Sequence, residues 1–389
     1  MDKTYGFPLF LKCIFKSYFN SKNSVARLSF KRFITITITI LAIFLVTSIH
    51  NIFLFIDEIL FFSFKKIKIK KPLFIVGIPR SGTTFLHRTL SQDSDKFTTF
   101  QLWEFLLAPS ITQKLLLKGF FVKSNKKSLL GSLINKLQNK ITKKLDKMHV
   151  SRLDSPEEDF LSLTNIFASF ILVTPFPHIE EIWDLGYFDE KISEKNKSKI
   201  MNYYKKCLQR HLFVFGKNKR ILSKNPSFTP KIKALKSYFP DCSIIACIRD
   251  PLETVPSQIS TMIEAGKIFN NNNSNQFYQE KFSNLLKFYY EHIIKNITND
   301  NQSYCIVPMK ELQENVKKTV EYIYKTINEP MDKNFTATLD NIYNKSKNYK
   351  SKHKYSLKQF GLNEEKIKNE FSETYKLLNF NSLENSTYC

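Results

Sequence analysis

Apolar positions in this 389-residue chain fall into one long run and several short ones. Phe33 to Ile56 is a run of 24 residues with no formal charge. As a helix it spans about 36 Å, enough to cross a bilayer. Thr35, Thr37 and Thr39 alternate with isoleucine in a strand-like period, and His50 and Asn51 interrupt the far end before Asp57 and Glu58 close it. The run starts late, is long and lacks a small-residue cleavage site, which speaks against a signal peptide. It predicts one membrane-anchoring helix, spanning or lying in the interface, with a soluble packing helix as the competing reading. Seven Lys or Arg accompany one Asp in residues 1–32, and Lys65, Lys66, Lys68, Lys70 and Lys71 follow the run. Cations on both sides choose no topology.

The short runs alternate between two periods. Leu73–Val76, Arg220–Lys224, Asp241–Ile248 and Tyr304–Val307 are β-rich and bounded by turn residues. Between and after them, helical patterns cover Thr84–Leu90, a segment from Gln101, a basic Leu-rich stretch over 114–147, Phe277–Ile297 and Glu314–Ile327. Such alternation predicts a three-layer α/β fold, a central parallel sheet with helices on both faces. Two parts follow: 1–62, basic N-terminus and hydrophobic segment, and 63–389, the α/β domain.

The chemistry concentrates at the first strand. Lys71-Pro-Leu-Phe-Ile-Val-Gly-Ile-Pro-Arg-Ser-Gly-Thr-Thr-Phe-Leu86 reads as strand, Gly-bearing turn, helix. That geometry is P-loop-like: turn N–H groups and a helix N-terminus both face an anion. Gly77 and Gly82 stand five apart as in a nucleotide-binding Walker loop, but Thr83 occupies the place of its lysine. Arg80 is the cation inside the turn. An ordinary ATPase or GTPase is thereby disfavoured. A second constellation follows the Asp241–Ile248 strand. Arg249-Asp250-Pro251 opens a helix on which Ser257 lies two turns later. An arginine at a parallel strand's carboxyl end sits at the ligand-binding rim, and its forked donors together with a hydroxyl suit a phosphomonoester. Lys224, in Lys-Asn-Pro, ends another strand.

Gly-Ile-Pro-Arg-Ser-Gly-Thr-Thr resembles the 5′-phosphosulfate loop of sulfotransferases that use 3′-phosphoadenosine 5′-phosphosulfate (PAPS), in the bacterial-type and tyrosylprotein-sulfotransferase-like branch. Ile-Arg-Asp-Pro…Ser resembles the family's 3′-phosphate motif, in the expected order along the chain. The resemblance covers about Lys71 to Phe371. It implies PAPS as donor, held by Arg80, Ser81, Gly82, Thr83, Thr84, Lys224, Arg249 and Ser257. It implies in-line transfer of the sulfuryl group to a hydroxyl or amine, with a general base taking the acceptor's proton. Arg80 stands where familiar cytosolic relatives carry a lysine at the bridging oxygen. Glu104 is the first candidate base, by its position after the loop's helix; the competing reading is a solvated helix-start carboxylate. His149 is second and Glu158 third. The segment Ser155-Pro-Glu-Glu-Asp159 also reads as a helix start, with Asp154 or Ser155 capping, Pro156 at the first position and acids in the first turn. A late basic loop with Lys352 and Lys354 resembles one that closes on the 3′-phosphate.

Composition narrows the partners. Lys and Arg exceed Asp and Glu by 24, which suits an anionic cofactor or membrane surface. Neither RNA-binding aromatics nor zinc-finger spacing occurs, so no nucleic acid is expected. The six cysteines form no CxxC pair, and neither a metal nor a disulfide framework is expected. The acceptor, whether carbohydrate, lipid, protein tyrosine or small alcohol, is not encoded legibly. The anchor would place the domain at a bacterial inner membrane facing the cytoplasm, or in a eukaryotic Golgi. A nucleotide-dependent phosphotransferase and a membrane-anchored nucleotide-binding protein without catalysis are the alternatives.

Overall fold

The computed structural model describes residues 5–121, 152–271, 275–297, 303–346 and 362–381. His149, Lys352 and Lys354, and most of the basic stretch 114–147, lie outside them. Helices α1 (Phe7–Phe19) and α2 (Phe30–Leu60) precede the first strand. Then come β1 (Leu73–Gly77), α3 (Thr83–Leu90), β2 (Phe97–Thr98), α4 (Leu102–Leu106) and α5 (Ile111–Phe121). A 3-10 segment, Asp159–Ile166, leads by shorter helices to α6 (Glu194–Phe215) and β3 (Arg220–Lys224). Strand β4 (Ser243–Ile248), α7 (Pro251–Ile268), α8 (Asn275–Ile297), β5 (Tyr304–Pro308) and α9 (Val316–Thr326) complete the part that builds the site.

All strand pairs are parallel, in the order β2-β3-β1-β4-β5. Both faces of the sheet are covered, so the central strands are apolar nearly throughout. On one face Phe74, Val76, Ile244 and Ala246 join a core with α6, α7 and α8. On the other Leu73, Ile75, Ile245 and Cys247 meet Leu86 of α3 and Val320 of α9. These faces are the layers that alternation of side chains along a strand requires.

The chain leaves central β1 toward β2 on one side and reaches β4 on the other, so its direction reverses beside β1. Ligands in open α/β sheets bind outside the strand ends at such a reversal. Register fixes which residues arrive there: Gly77 lies opposite Cys247 of β4, and Ile75 opposite Lys224 of β3.

Three expectations change. The apolar run forms a helix of 31 residues, but one side of it is not lipid-like. Arg32, His50 and Asp57 of α2 are buried against the domain, and Ile36 and Ile40 share the large core with β1. Through these residues α2 packs against the α/β domain. Pro156 does not start a helix. The backbone of 153–157 is taken by 100–103: Trp103 N donates to Leu153 O at 2.9 Å and Glu157 N to Phe100 O at 3.0 Å. Helical turns begin only at Asp159. The Glu314–Ile327 helix starts later, at Val316, capped by Asn315.

Candidate active site

The turn after β1 is shaped by two glycines. Gly77 has φ 127°, and a Cβ there would lie 2.1 Å from Cys247 O, inside the backbone of β4. Only glycine lets the two strands come this close. Gly82, at φ 84°, is the left-handed residue from which α3 starts. Arg80 between them also takes a positive φ, 68°, a conformation that L-residues adopt at some energetic expense and that aims the side chain off the turn. Thr229 Oγ donates to Gly77 O at 2.7 Å and accepts from Gly77 N at 2.8 Å, pinning the strand end. The first N–H groups of α3 have no intrahelical acceptor and carry the positive end of its dipole.

The two constellations read from the sequence meet here. Arg80 Nε lies 3.2 Å from Ser257 Oγ, and Arg249 donates to Arg80 O at 3.1 Å. Asp250 caps α7 by accepting from Leu252 N at 2.8 Å, which turns the chain sharply at the end of β4 and leaves Arg249 at the rim. Tyr375 OH holds the same carboxylate at 2.5 Å, and Tyr290 OH donates to Arg249 O. A polar cleft of about 560 Å³ opens beside them, with Arg249, Lys310 and Lys376 on its walls.

On the other side of the turn, Lys224 is 1% exposed and reaches Thr84 Oγ at 3.3 Å. It also donates to Glu158 Oε1 at 2.7 Å, with Glu157 Oε1 at 3.9 Å. Glu158 is 26% exposed, so its carboxylate is both anchored and accessible. Buried Asp159 locks this corner. It accepts from Tyr204 OH at 2.7 Å, from Ser223 Oγ at 3.0 Å and from Asn225 Nδ2. Ser223 and Asn225 flank Lys224, and Asp159 follows Glu158, so one carboxylate ties both partners of the ion pair in register. Burial pushes the Asp159 carboxyl up, and those three donors act in the opposite direction.

Two expected site residues are placed differently. Ser81 is buried, and its hydroxyl donates to Ile78 O at 2.5 Å and Cys247 O at 3.0 Å; it shapes the turn from within. Glu104 is 1% exposed, with no face toward the turn's open side. Its Oε1 accepts from Gln101 N at 2.9 Å in a capping box, and its Oε2 lies 2.8 Å from His211 Nδ1 and 3.4 Å from Lys114 Nζ. Burial raises its carboxyl, but His211 and Lys114 outweigh that and leave it below the usual range. Thr83 is buried and Thr84 exposed. Sequence reasoning missed Asp159 as a tie; its only local signal was its place after Glu158.

The Sulfotransferase family model matches residues 72–333. The chain belongs to the sulfotransferase family. Among curated proteins, the omega-hydroxy-beta-dihydromenaquinone-9 sulfotransferases Stf3 of Mycobacterium bovis and Mycobacterium tuberculosis are 30% identical to this sulfotransferase over 194 residues. Those residues are 48% of this chain and 44% of the relative, so the chain matches less than half of the curated relatives' length. Among solved structures, the sulfotransferase STF1 of Mycobacterium tuberculosis has a TM-score of 0.66 at 18% identity, covering 94% of this chain and 92% of that one. STF9 of Mycobacterium avium gives 0.65 at 19% identity, covering 82% and 79%. The shared fold is thus that of sulfotransferases, a parallel sheet with helices on both faces.

Proposed function

We propose that this sulfotransferase moves a sulfuryl group from PAPS to a hydroxyl of a lipid acceptor at a membrane. The observation that carries the proposal is the meeting of Arg80, Ser257 and Arg249 on one side of the β1–α3 turn with Thr84, Lys224 and Glu158 on the other. A bisphosphorylated nucleotide needs two separate anion sites, and the residues present fit both. In this reading the N–H groups of 80–84 and the Arg80 guanidinium hold one, and Arg249, which also pairs with Glu253, holds the second together with buried Ser257. PAPS supplies an activated sulfuryl group when bound.

The chain's own residues do the rest. The α3 N-terminus and Arg80 neutralise charge on the leaving phosphate, a preorganised electrostatic role. The Lys224 ammonium has three N–H donors. Glu158 and Thr84 take two, and in this reading the third serves the donor's sulfuryl group. Glu158, held by Lys224 through one oxygen, has its second oxygen for the acceptor's hydroxyl proton. Glu104 is a structural carboxylate in this reading, and His149 is not needed as the base.

The acceptor class rests on two things: the hydroxylated quinone in the names of the curated relatives, and the apolar α2 beside the domain. The test is thermal stabilisation of the full chain by 3′,5′-bisphosphoadenosine, AMP and ATP. A shift selective for the bisphosphate is expected. Equal shifts would reduce the site to a generic nucleotide cradle and overturn the donor assignment.

A further inference from the structure

Helix α2 carries two stripes. Arg32, Ile36, Ile40, Thr47, His50, Leu54 and Asp57 are buried against the domain. On the opposite side Ile38, Leu41, Leu45, Ile52, Phe55 and Ile59 are exposed, each between 60% and 66%. Both sets recur at three- and four-residue spacing, one helical face each. Helix α1 adds Phe7, Leu11, Phe15 and Phe19, all exposed and four residues apart, and joins α2 through Tyr18 OH and Thr37 Oγ at 2.7 Å. So large an apolar surface marks an interaction site.

We infer that α2 lies flat in the headgroup region of an anionic membrane, fastened along its length to the sulfotransferase domain, and does not cross the bilayer. The inference deepens the membrane reading above and rests on it. Its first support is the anchoring at both ends. Arg32 donates to Pro175 O at 2.9 Å, to Phe269 O at 2.7 Å and to Asn271 Oδ1 at 2.5 Å. Asp57 accepts from Ile111 N at 2.7 Å, from Thr112 N at 3.0 Å and from Arg210 Nε at 3.1 Å. Arg32 and Asp57 stand 25 positions apart, which separates these ties by about 38 Å. A spanning helix would have to strip at least one buried charge of its partners inside hydrocarbon.

The second support is charge. Residues 3–56 contain no Asp or Glu, and neither do residues 59–92. Lys22 and Arg27 before α2, Lys31 in its first turn, and Lys66, Lys68 and Lys70 after it, are exposed. A spanning orientation separates these clusters across the bilayer, whereas an in-plane one brings both to the same anionic leaflet. The site is joined to the domain side of α2. Asn165 Oδ1 lies 2.9 Å from His50 Nδ1, in mid-α2, on the 3-10 segment that begins one residue after Glu158. At about 2 Å per residue, some 14 Å separates Glu158 from the domain side of α2, and the helix, about 10 Å across, lies between that side and the exposed stripe.

The experiment uses the full chain in a Cys389→Ser background. Cell-free synthesis in the presence of sealed phosphatidylcholine vesicles, with and without phosphatidylglycerol, is followed by flotation. Binding is expected, stronger with phosphatidylglycerol. An Ile38→Glu/Leu45→Glu/Ile52→Glu variant should lose at least about a hundredfold in partitioning with its bisphosphate thermal shift intact. Lys22→Cys and Lys68→Cys are then labelled from outside with an impermeant maleimide. Equal labelling of both without detergent supports the in-plane position. Protection of one until detergent is added means a spanning helix and overturns it, while membrane association stands. Absence of flotation, with either a monomer or a dimer by light scattering, overturns the in-plane position and the membrane reading together. The donor assignment is read separately by the thermal shift.

Discussion

Replacing Glu158 by Gln tests the assignment of the base. The glutamine keeps the size of the side chain and an oxygen for Lys224, but takes no proton. The contacts of 2.7 Å and 3.3 Å meet at one ammonium, so the Glu158 carboxylate lies within about 6 Å of the Thr84 hydroxyl. That leaves room for an acceptor oxygen between carboxylate and sulfuryl group. A positioned base is worth about 10²- to 10⁴-fold, or about 3 to 5.5 kcal/mol in the barrier. The expected result is a fall of that size in kcat, with the bisphosphate thermal shift unchanged. Lys224→Met should lower kcat and also weaken donor binding, because it removes a cation beside Thr84. The double variant should be less than additive by about 1 to 3 kcal/mol, since the two side chains touch. The assay is radiolabelled sulfuryl transfer from PAPS to a polyprenol in anionic vesicles. Glu104→Gln is the control. It leaves Lys114 buried beside a neutral group, so the melting temperature should drop while folded enzyme keeps its turnover. If Glu158→Gln keeps kcat within about threefold, or if Glu104→Gln abolishes turnover at an unchanged melting temperature, the reasoning fails.

Four further outcomes are expected. Arg249→Ala and Ser257→Ala should each reduce the thermal shift with the bisphosphate toward that with AMP, read by the same melt; an undiminished shift would move the second phosphate elsewhere. Gly77→Ala places a Cβ 2.1 Å from Cys247 O at φ 127°. The backbone conformation alone is worth about 1 to 3 kcal/mol, so soluble folded protein or several degrees of melting temperature should be lost. Asp159→Asn weakens the acceptor for Tyr204, Ser223 and Asn225, and about 1 to 3 kcal/mol of stability should go in denaturant melts. Lys231, packed between the Phe188 and Phe228 rings at 4.7 Å and 5.0 Å, is pushed down by burial to about 7, with Asp189 opposing. Above that pH the unfolded lysine holds a proton that the folded one lacks, until about pH 10. Stability should therefore rise with pH across this window, and Lys231→Met should flatten the rise in urea midpoints taken at several pH values.

What the sequence made legible is local. β1, its glycine turn and α3 are contiguous, and the periods change from apolar run to turn to helix within sixteen residues. Arg249 and Ser257 were readable for the same reason, since Asp at the cap and Pro at the first position favour a helix start, as at Asp250-Pro251. The buried stripe of α2 was readable in principle. Arg32, His50 and Asp57 fall at helical spacing with Ile36, Ile40 and Leu54, so one face of an apolar helix carries ionisable groups. Averaging hydropathy along the run hides a face, because a mean has no direction. Glu104 shows the opposite error. Nearness in sequence to the loop suggested chemistry, while Gln101-x-x-Glu104 is a capping pattern and His211 is more than a hundred residues away.

The Lys224–Glu158 pair was the least legible part, for a topological reason. Its members stand 66 residues apart, joined by α6 and several short helices. Glu158 belongs to no regular element: it comes between an extended segment and a 3-10 start. Its position is set from both sides by tertiary contacts. Residues 153–157 pair with 100–103, which hang from β2 at the sheet's edge. Asp159 then binds Ser223 and Asn225 on either side of Lys224, next to β1. A segment outside the sheet is thus stapled to two strands of it, so Glu158 inherits the register of Lys224. Local propensity carries no trace of such a staple. A buried aspartate satisfied by three side-chain donors does, and it is visible only once the chain is folded.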